Sequence, residues 1–176
     1  MRVSRKITRG KPLLALAGLV AAASAAWAAQ EWGIEGERKV RVEARVVDLL
    51  CEVTGSCVPD CGAGRRQLGL LHDDGRLVPV VKNMDPFAGA VEELIGFCGR
   101  RIVADGLLVE GKKMPMFALQ FVRLADGGKW RRADRFGKNW ARRNGRKDAT
   151  DWFRHDSRVK RIIARDGVYG IPGLKP

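Results

Sequence analysis

From Lys39 onward the chain alternates. Val40, Val42, Ala44 and Val46 fall on one side and Arg41, Glu43 and Arg45 on the other, the period of a half-buried strand. At Val46-Val47 the phase slips, and Val47 and Leu49 take over the apolar positions, which predicts a bulge that lets a long first strand bend. Two further apolar runs, 67–72 and 76–82, flank Asp73-Asp74-Gly75, a hairpin signal because glycine accepts the positive φ of the turn. Asp85 and Pro86 then read as N-cap and first residue of a helix. Phe87, Ala90, Val91, Leu94, Ile95 and Cys98 share one face of it, and Gly99 stands just beyond its end. Residues 102–110 and 116–124 read as two more strands joined by Gly111-Lys112-Lys113-Met114-Pro115, and 125–128 close this body.

Strand, strand, strand, helix, strand, strand is an order that resembles the OB-fold, a mainly β, five-stranded Greek-key barrel with one helix between strands three and four. Within that class, Val46-Val47-Asp48 followed by Cys51 and a Cys- and Gly-rich loop, then Leu68-Gly69-Leu70-Leu71 and Asp74-Gly75, is similar to small exported bacterial OB-like domains. The resemblance covers residues 38–125. It implies a barrel and names no activity.

Both flanks of that body have a different character. The N-terminus carries Arg2, Arg5, Lys6, Arg9 and Lys11 without an acid, then an apolar run from Pro12 to Ala26 and the small-x-small exit Ala26-Trp27-Ala28. These are the three parts of a secretory signal peptide over residues 1–28, with cleavage expected after Ala28. An uncleaved anchor is the alternative, for which the run is short. The expected location is therefore the periplasm or the extracellular space. The remaining chain divides into a barrel over 29–128 and a tail over 129–176.

Charge sharpens this division. The whole chain has 33 Lys and Arg against 20 Asp and Glu, a net of +13. Residues 29–128 hold 13 basic and 15 acidic residues, a net of −2, whereas 129–176 hold 15 and 5, a net of +10. In the tail, Arg131, Arg135, Lys138, Arg142 and Arg146 recur at helical spacing, with Phe136 and Trp140 opposite and Gly145 as a stop. A second helix is expected from Ser157 to Asp166, ended by Gly167, and an extended segment from Val168 to Pro176. The basic stripe suits an acidic protein partner or an anionic membrane surface. Nucleic acid is the weaker expectation, because the barrel has no net positive charge and an exported protein rarely meets it. The plain alternative is a solvated face whose aromatic side covers the barrel.

Four cysteines in an exported chain point to two disulfides. Cys51, Cys57 and Cys61 lie in one loop and Cys98 on the expected helix. Three pairings exist, and placing Cys51 at a strand end and Cys98 on the inward helix face favours Cys51 with Cys98 and Cys57 with Cys61. A zinc site of all four thiolates is an alternative, although Cys-x5-Cys-x3-Cys is looser than the usual zinc knuckle. A Cu(I) site would add Met114, Met116, Met84 and His72, and a redox pair is a further option. The chain has no Cys-x-x-Cys, Gly-x-Ser-x-Gly or metalloprotease His pair, and only His72 and His155 could serve as neutral-pH bases, so an enzyme is disfavoured. The sequence thus leads to an exported, non-enzymatic OB-like binding or accessory module with a disulfide-bonded loop, no favoured cofactor, and a basic tail docking an anionic partner. A copper, zinc or redox protein using the cysteine loop is the runner-up.

Overall fold

The computed structural model describes residues 29–82, 89–171 and 173–174. The expected signal segment, Met84, and the expected helix start at Asp85-Pro86-Phe87 lie outside them. The strands are β1 (Glu37–Asp48), β2 (Leu68–Leu71), β3 (Leu77–Lys82), β4 (Arg101–Glu110), β5 (Pro115–Leu124) and β6 (Arg131–Arg132). The helices are α1 (Leu49–Thr54), α2 (Val91–Leu94), α3 (Arg135–Arg143), α4 (Trp152–His155) and α5 (Ser157–Asp166), with 3-10 turns at Pro59–Gly62 and Ile95–Phe97.

The molecule is mainly β. Strands β3, β2, β1, β4 and β5 pair antiparallel in that order, and a parallel pairing of β3 with β5 closes them into a five-stranded mixed barrel. Closure removes the sheet edges that would otherwise seek partners. β1 can serve two neighbours because it is long: Glu37–Arg45 pairs with β4, and Arg45–Asp48 pairs with β2. The inward side of the alternation, Ala44 and Val46, meets Leu68, Leu70, Val78, Val80, Ile102, Ala104, Leu108, Phe117, Leu119 and Val122 in one core.

The expected bulge in β1 is absent. Pairing runs without a break through Val46 and Val47, and both are buried because the end of the strand is covered on both sides. The irregularity sits instead between Asp105 and Gly106 of β4, where Gln120 of β5 is the extra residue. Glycine is required there: a Cβ on Gly106 would lie 2.2 Å from the Ala118 carbonyl oxygen.

α2 is shorter than the expected helix. Its apolar face is nonetheless as read, with Ala90 and Leu94 in the core and Val91, Ile95 and Cys98 packed against it; Phe97 joins them from the 3-10 turn.

The cysteine pairing differs from the expectation. Cys51 bonds Cys57, and Cys61 bonds Cys98. The cause is local. β1 ends at Asp48, whose carboxylate accepts the Leu50 N–H at 2.9 Å and starts α1, so Cys51 rides on a helix rather than on the strand. Gly55, in the left-handed region at φ 73°, turns the chain back and brings Cys57 to a Cα distance of 4.3 Å from Cys51. Cys61 is then the buried cysteine of the loop, and it faces Cys98.

The tail is not one basic helix. Arg131 lies on β6 with its guanidinium 4.4 Å from the Phe97 ring centroid, Arg135 opens α3, Lys138 and Arg142 lie within it, and Arg146 follows its end. β6 pairs with Phe121 and Val122 of β5, just past the stretch of β5 that pairs with β3, and Ala133 enters the barrel core. α5 has the expected bounds, with Asp156 accepting the N–H groups of Arg158 and Val159. After Gly167 the described residues make turns rather than an extended strand, with Gly170 and Leu174 N–H groups bonded three residues back.

Candidate functional site

Five polar side chains are buried among the described residues: Asp48, Lys82, Glu93, Asp105 and Gln120. A buried polar group is retained only if it is satisfied, so its partners show what the fold needs it for. Each of these holds a flanking segment against the barrel. Asp48 starts α1 and takes Arg66 Nη1 at 2.9 Å, pinning the cysteine loop. Asp105 and Gln120 hold the N-terminal segment. Lys82 and Glu93 hold the tail.

The last pair lines a cleft of about 370 Å³ between Gly64 of the cysteine loop, Lys82 at the end of β3, Ala90 and the first turn of α2, and Phe136 of α3. Lys82 Nζ donates to Glu93 Oε1 at 2.9 Å and stands 5.5 Å from the Phe136 ring centroid. The same carboxylate accepts the Phe136 N–H on Oε1 at 2.9 Å and the Arg135 N–H on Oε2 at 3.0 Å. Glu93 thus caps α3 from another element, a role usually taken by a residue at the helix start. Glu92 beside it accepts a hydrogen bond from Asn139 of α3.

Gly64, at the edge of the cleft, ends an unusual stretch of backbone. Asp60, Cys61, Gly62, Ala63 and Gly64 all have φ between 48° and 84°, and three of them carry a Cβ. Each non-glycine residue in this region costs about 1–2 kcal/mol, and such strain persists only where the surroundings impose it. Here the Cys61–Cys98 bond and Arg66, which reaches both Asp48 and the Ser56 carbonyl, impose it.

The chemistry available is limited. The three charges of the cleft are committed, Lys82 to Glu93, Glu93 also to the α3 backbone and Glu92 to Asn139, and His72 and His155 lie elsewhere, at the β2–β3 hairpin and on α4. Burial is the main force lowering the pKa of His72, with Arg76 adding to it. The cysteines that a thiolate metal site would need are all in disulfides. Met114 is exposed at the β4–β5 turn, and Met116 packs beside Ala29 on the outer face of the barrel. Among the described residues no group of three His, Cys, Asp or Glu could hold a metal ion.

The tail aromatics pack on one another. Phe136 and Trp140 meet Trp152 edge to face at centroid distances of 4.9 and 6.4 Å, and Trp140 is buried. Trp130 lies between the guanidinium groups of Arg41 and Arg123, 5.0 and 5.2 Å from its centroid. Of the five expected docking residues, all exposed, Arg135, Lys138 and Arg142 share α3, while Arg131 lies on β6 and Arg146 beyond the helix end. A different basic surface is open: α5 has no buried residue, carries Arg158, Lys160, Arg161 and Arg165, and exposes Ile162 and Ile163.

No family model, curated protein or solved structure matches this chain. Function has to be read from the site itself.

Sequence reasoning missed Lys82, Glu93, Asp105 and Gln120. A faint signal existed: each is a polar residue inside or closing an apolar run, Leu77-Val78-Pro79-Val80-Val81-Lys82 being the clearest.

Proposed function

We propose that the chain is an exported, OB-like binding or accessory module that rests on an anionic lipid surface through the α5 face of its tail. The OB-like reading is supported by the ring order β1-β2-β3-β5-β4, the parallel β3–β5 closure and the position of α2 between β3 and β4. Two disulfides suit an oxidising compartment. Among the described residues no helix is long and apolar enough to cross a membrane.

The observation that carries the docking face is the contrast between α3 and α5. α3 spends its apolar side, Trp140 and Ala141, on its own fold. α5 is tied on by its cap, with Asp156 accepting the Trp140 Nε1–H at 2.8 Å, and leaves Ile162 and Ile163 roughly two-fifths exposed among four basic side chains. At helical spacing Arg158, Arg161, Ile162 and Arg165 share one side of α5, and basic and apolar groups together suit the boundary between anionic headgroups and acyl chains, where each cation contributes about 1 kcal/mol.

The test is co-flotation of the purified protein with phosphatidylglycerol-containing vesicles and with neutral phosphatidylcholine vesicles, over a salt series. Binding to the anionic vesicles alone, weakening with salt and lost on replacing Arg158, Lys160, Arg161 and Arg165 by Gln, is the expected result. Equal behaviour on both vesicles would refute the reading. Loss of vesicle binding together with salt-sensitive capture of an acidic protein by the same four residues would move it to a protein partner.

A further inference from the structure

The N-terminal segment is held to the barrel by two of its five buried polar side chains. The N–H of Ala29 donates to Oδ1 of Asp105 at 3.1 Å. Gln120 grips the next residue from both sides, accepting the Gln30 N–H at 2.9 Å and donating Nε2–H to the Gln30 carbonyl at 2.6 Å. Glu37 accepts the N–H groups of Trp32 and Gly33, and Lys39 pairs with Glu31 at 3.1 Å. The Ala29 side chain is 4% exposed and packs with Val81, Leu107 and Ala118 on the outer face of the barrel.

The carboxylate is placed by the fold. Alternation along β4 puts Asp105 and Leu107 on the same outer side, while Ala104 and Leu108 face the core, and the extra residue at the register shift opposite Asp105 and Gly106 is Gln120 of β5. Asp105 is 4% exposed, and its Oδ2 takes Arg41 Nε and Nη2, the cross-strand neighbour, at 2.9 and 2.6 Å. Oδ1 is aimed at Ala29 instead. A buried carboxylate pointed at a main-chain nitrogen gains more from an ammonium group than from an amide, because the ammonium adds a full positive charge to the hydrogen bond. Ala29 is also the residue that follows the small-x-small exit Ala26-Trp27-Ala28.

We infer that hydrolysis of the Ala28–Ala29 peptide bond during export creates an α-ammonium group that docks on the buried Asp105 carboxylate, so that processing and folding are coupled. Water adds across the C–N bond: Ala28 leaves as a carboxylate, and the released Ala29 amine takes a proton. Cleavage precedes docking, since the bond adjoins a residue that the folded barrel covers. The ammonium then shares Asp105 with Arg41, and Gln120 fixes the direction in which the chain leaves the site. This rests on the export reading above, and the experiment separates the two.

The full gene is expressed with its own leader in a bacterial host, and the exported protein is purified and weighed by mass spectrometry. A chain beginning at Ala29 is expected; an exported chain beginning elsewhere overturns the inference while leaving export standing, and retention in the cytoplasm overturns both. The exported protein is then unfolded with its disulfides intact and acetylated at near-neutral pH, where the α-amine, with a pKa of about 7.7–8.0, reacts ahead of lysines near 10.4. It is refolded beside a mock-treated sample. Acetylation keeps the Ala29 N–H donor and removes only its charge.

The acetylated chain is expected to lose about tenfold in its folding constant, equivalent to about 1.4 kcal/mol. Asp105→Asn should abolish that difference. A chain starting at Gln30 serves as second variant, should the asparagine variant not fold, and should likewise be indifferent to acetylation. Equal stability of acetylated and mock-treated wild type, or a difference that persists in Asp105→Asn, would overturn the proposed docking.

Discussion

Replacing Glu93 by alanine tests the claim that the tail is locked to the barrel through one buried carboxylate. The side chains of Lys82 and Glu93 are 9% and 3% exposed, so the lysine left behind would be a buried charge without its counter-ion. Breaking a buried pair from one side costs about 3–5 kcal/mol, and removing the acceptor for the first N–H groups of α3 adds about 1 kcal/mol. A loss of about 4–6 kcal/mol is comparable with the whole stability of many domains. It should appear in urea unfolding followed by circular dichroism as a large drop in midpoint with little change in slope. Lys82→Met with Glu93→Leu removes both charges, and should recover all but the capping loss and a small repacking cost. A cost below about 1 kcal/mol for Glu93→Ala, or a double variant as unstable as the two singles summed, would refute the coupling. The same reasoning favours the alternative given by the sequence, that the tail covers the barrel. A chain ending at Gly128 loses β6, Ala133 of the core and the partners of Glu93, and should melt lower or aggregate.

The two disulfides should differ in weight. Cys61–Cys98 spans 37 residues and Cys51–Cys57 spans 6, so replacing the pairs by alanine should cost about 4 and about 2 kcal/mol in calorimetric melting; equal costs would mean that loop closure is not what they supply. Gly106→Ala forces a Cβ onto the Ala118 carbonyl and should cost at least the 1–3 kcal/mol typical of overpacking; a variant as stable as wild type would contradict the close approach of β4 to β5. Asp156 has its pKa lowered chiefly by the Trp140 hydrogen bond and next by the Val159 N–H. A depressed carboxylate contributes its stability above the unfolded value, near 3.9, and loses it as pH falls through the folded value. The Trp140 indole N–H resonance should therefore shift in acid below about pH 4, and Asp156→Asn should remove that step; an unchanged titration in the variant would rule Asp156 out.

What the sequence determined was local. Alternation from Val40 to Val46 set the inward face of β1, Asp73-Asp74-Gly75 set the β2–β3 hairpin, the spacing of Ala90, Val91, Leu94 and Ile95 set the buried face of α2, and Ser157 to Gly167 set the limits of α5. Each rests on a period or a turn preference that acts within a few residues. Tertiary structure decided the rest. Cysteine pairing turned on α1 starting one step after Asp48, and the bulge lies not at the valines of β1 but at Gln120 of β5, opposite β4 where Gly106 passes too close to Ala118 for a Cβ. The tail became part of the barrel, and the N-terminal segment became anchored, because Glu93 reaches Phe136 and Asp105 reaches Ala29 across 43 and 76 residues. A buried charge is matched by whatever donor the fold brings to it, and no periodicity along the chain encodes which donor that will be.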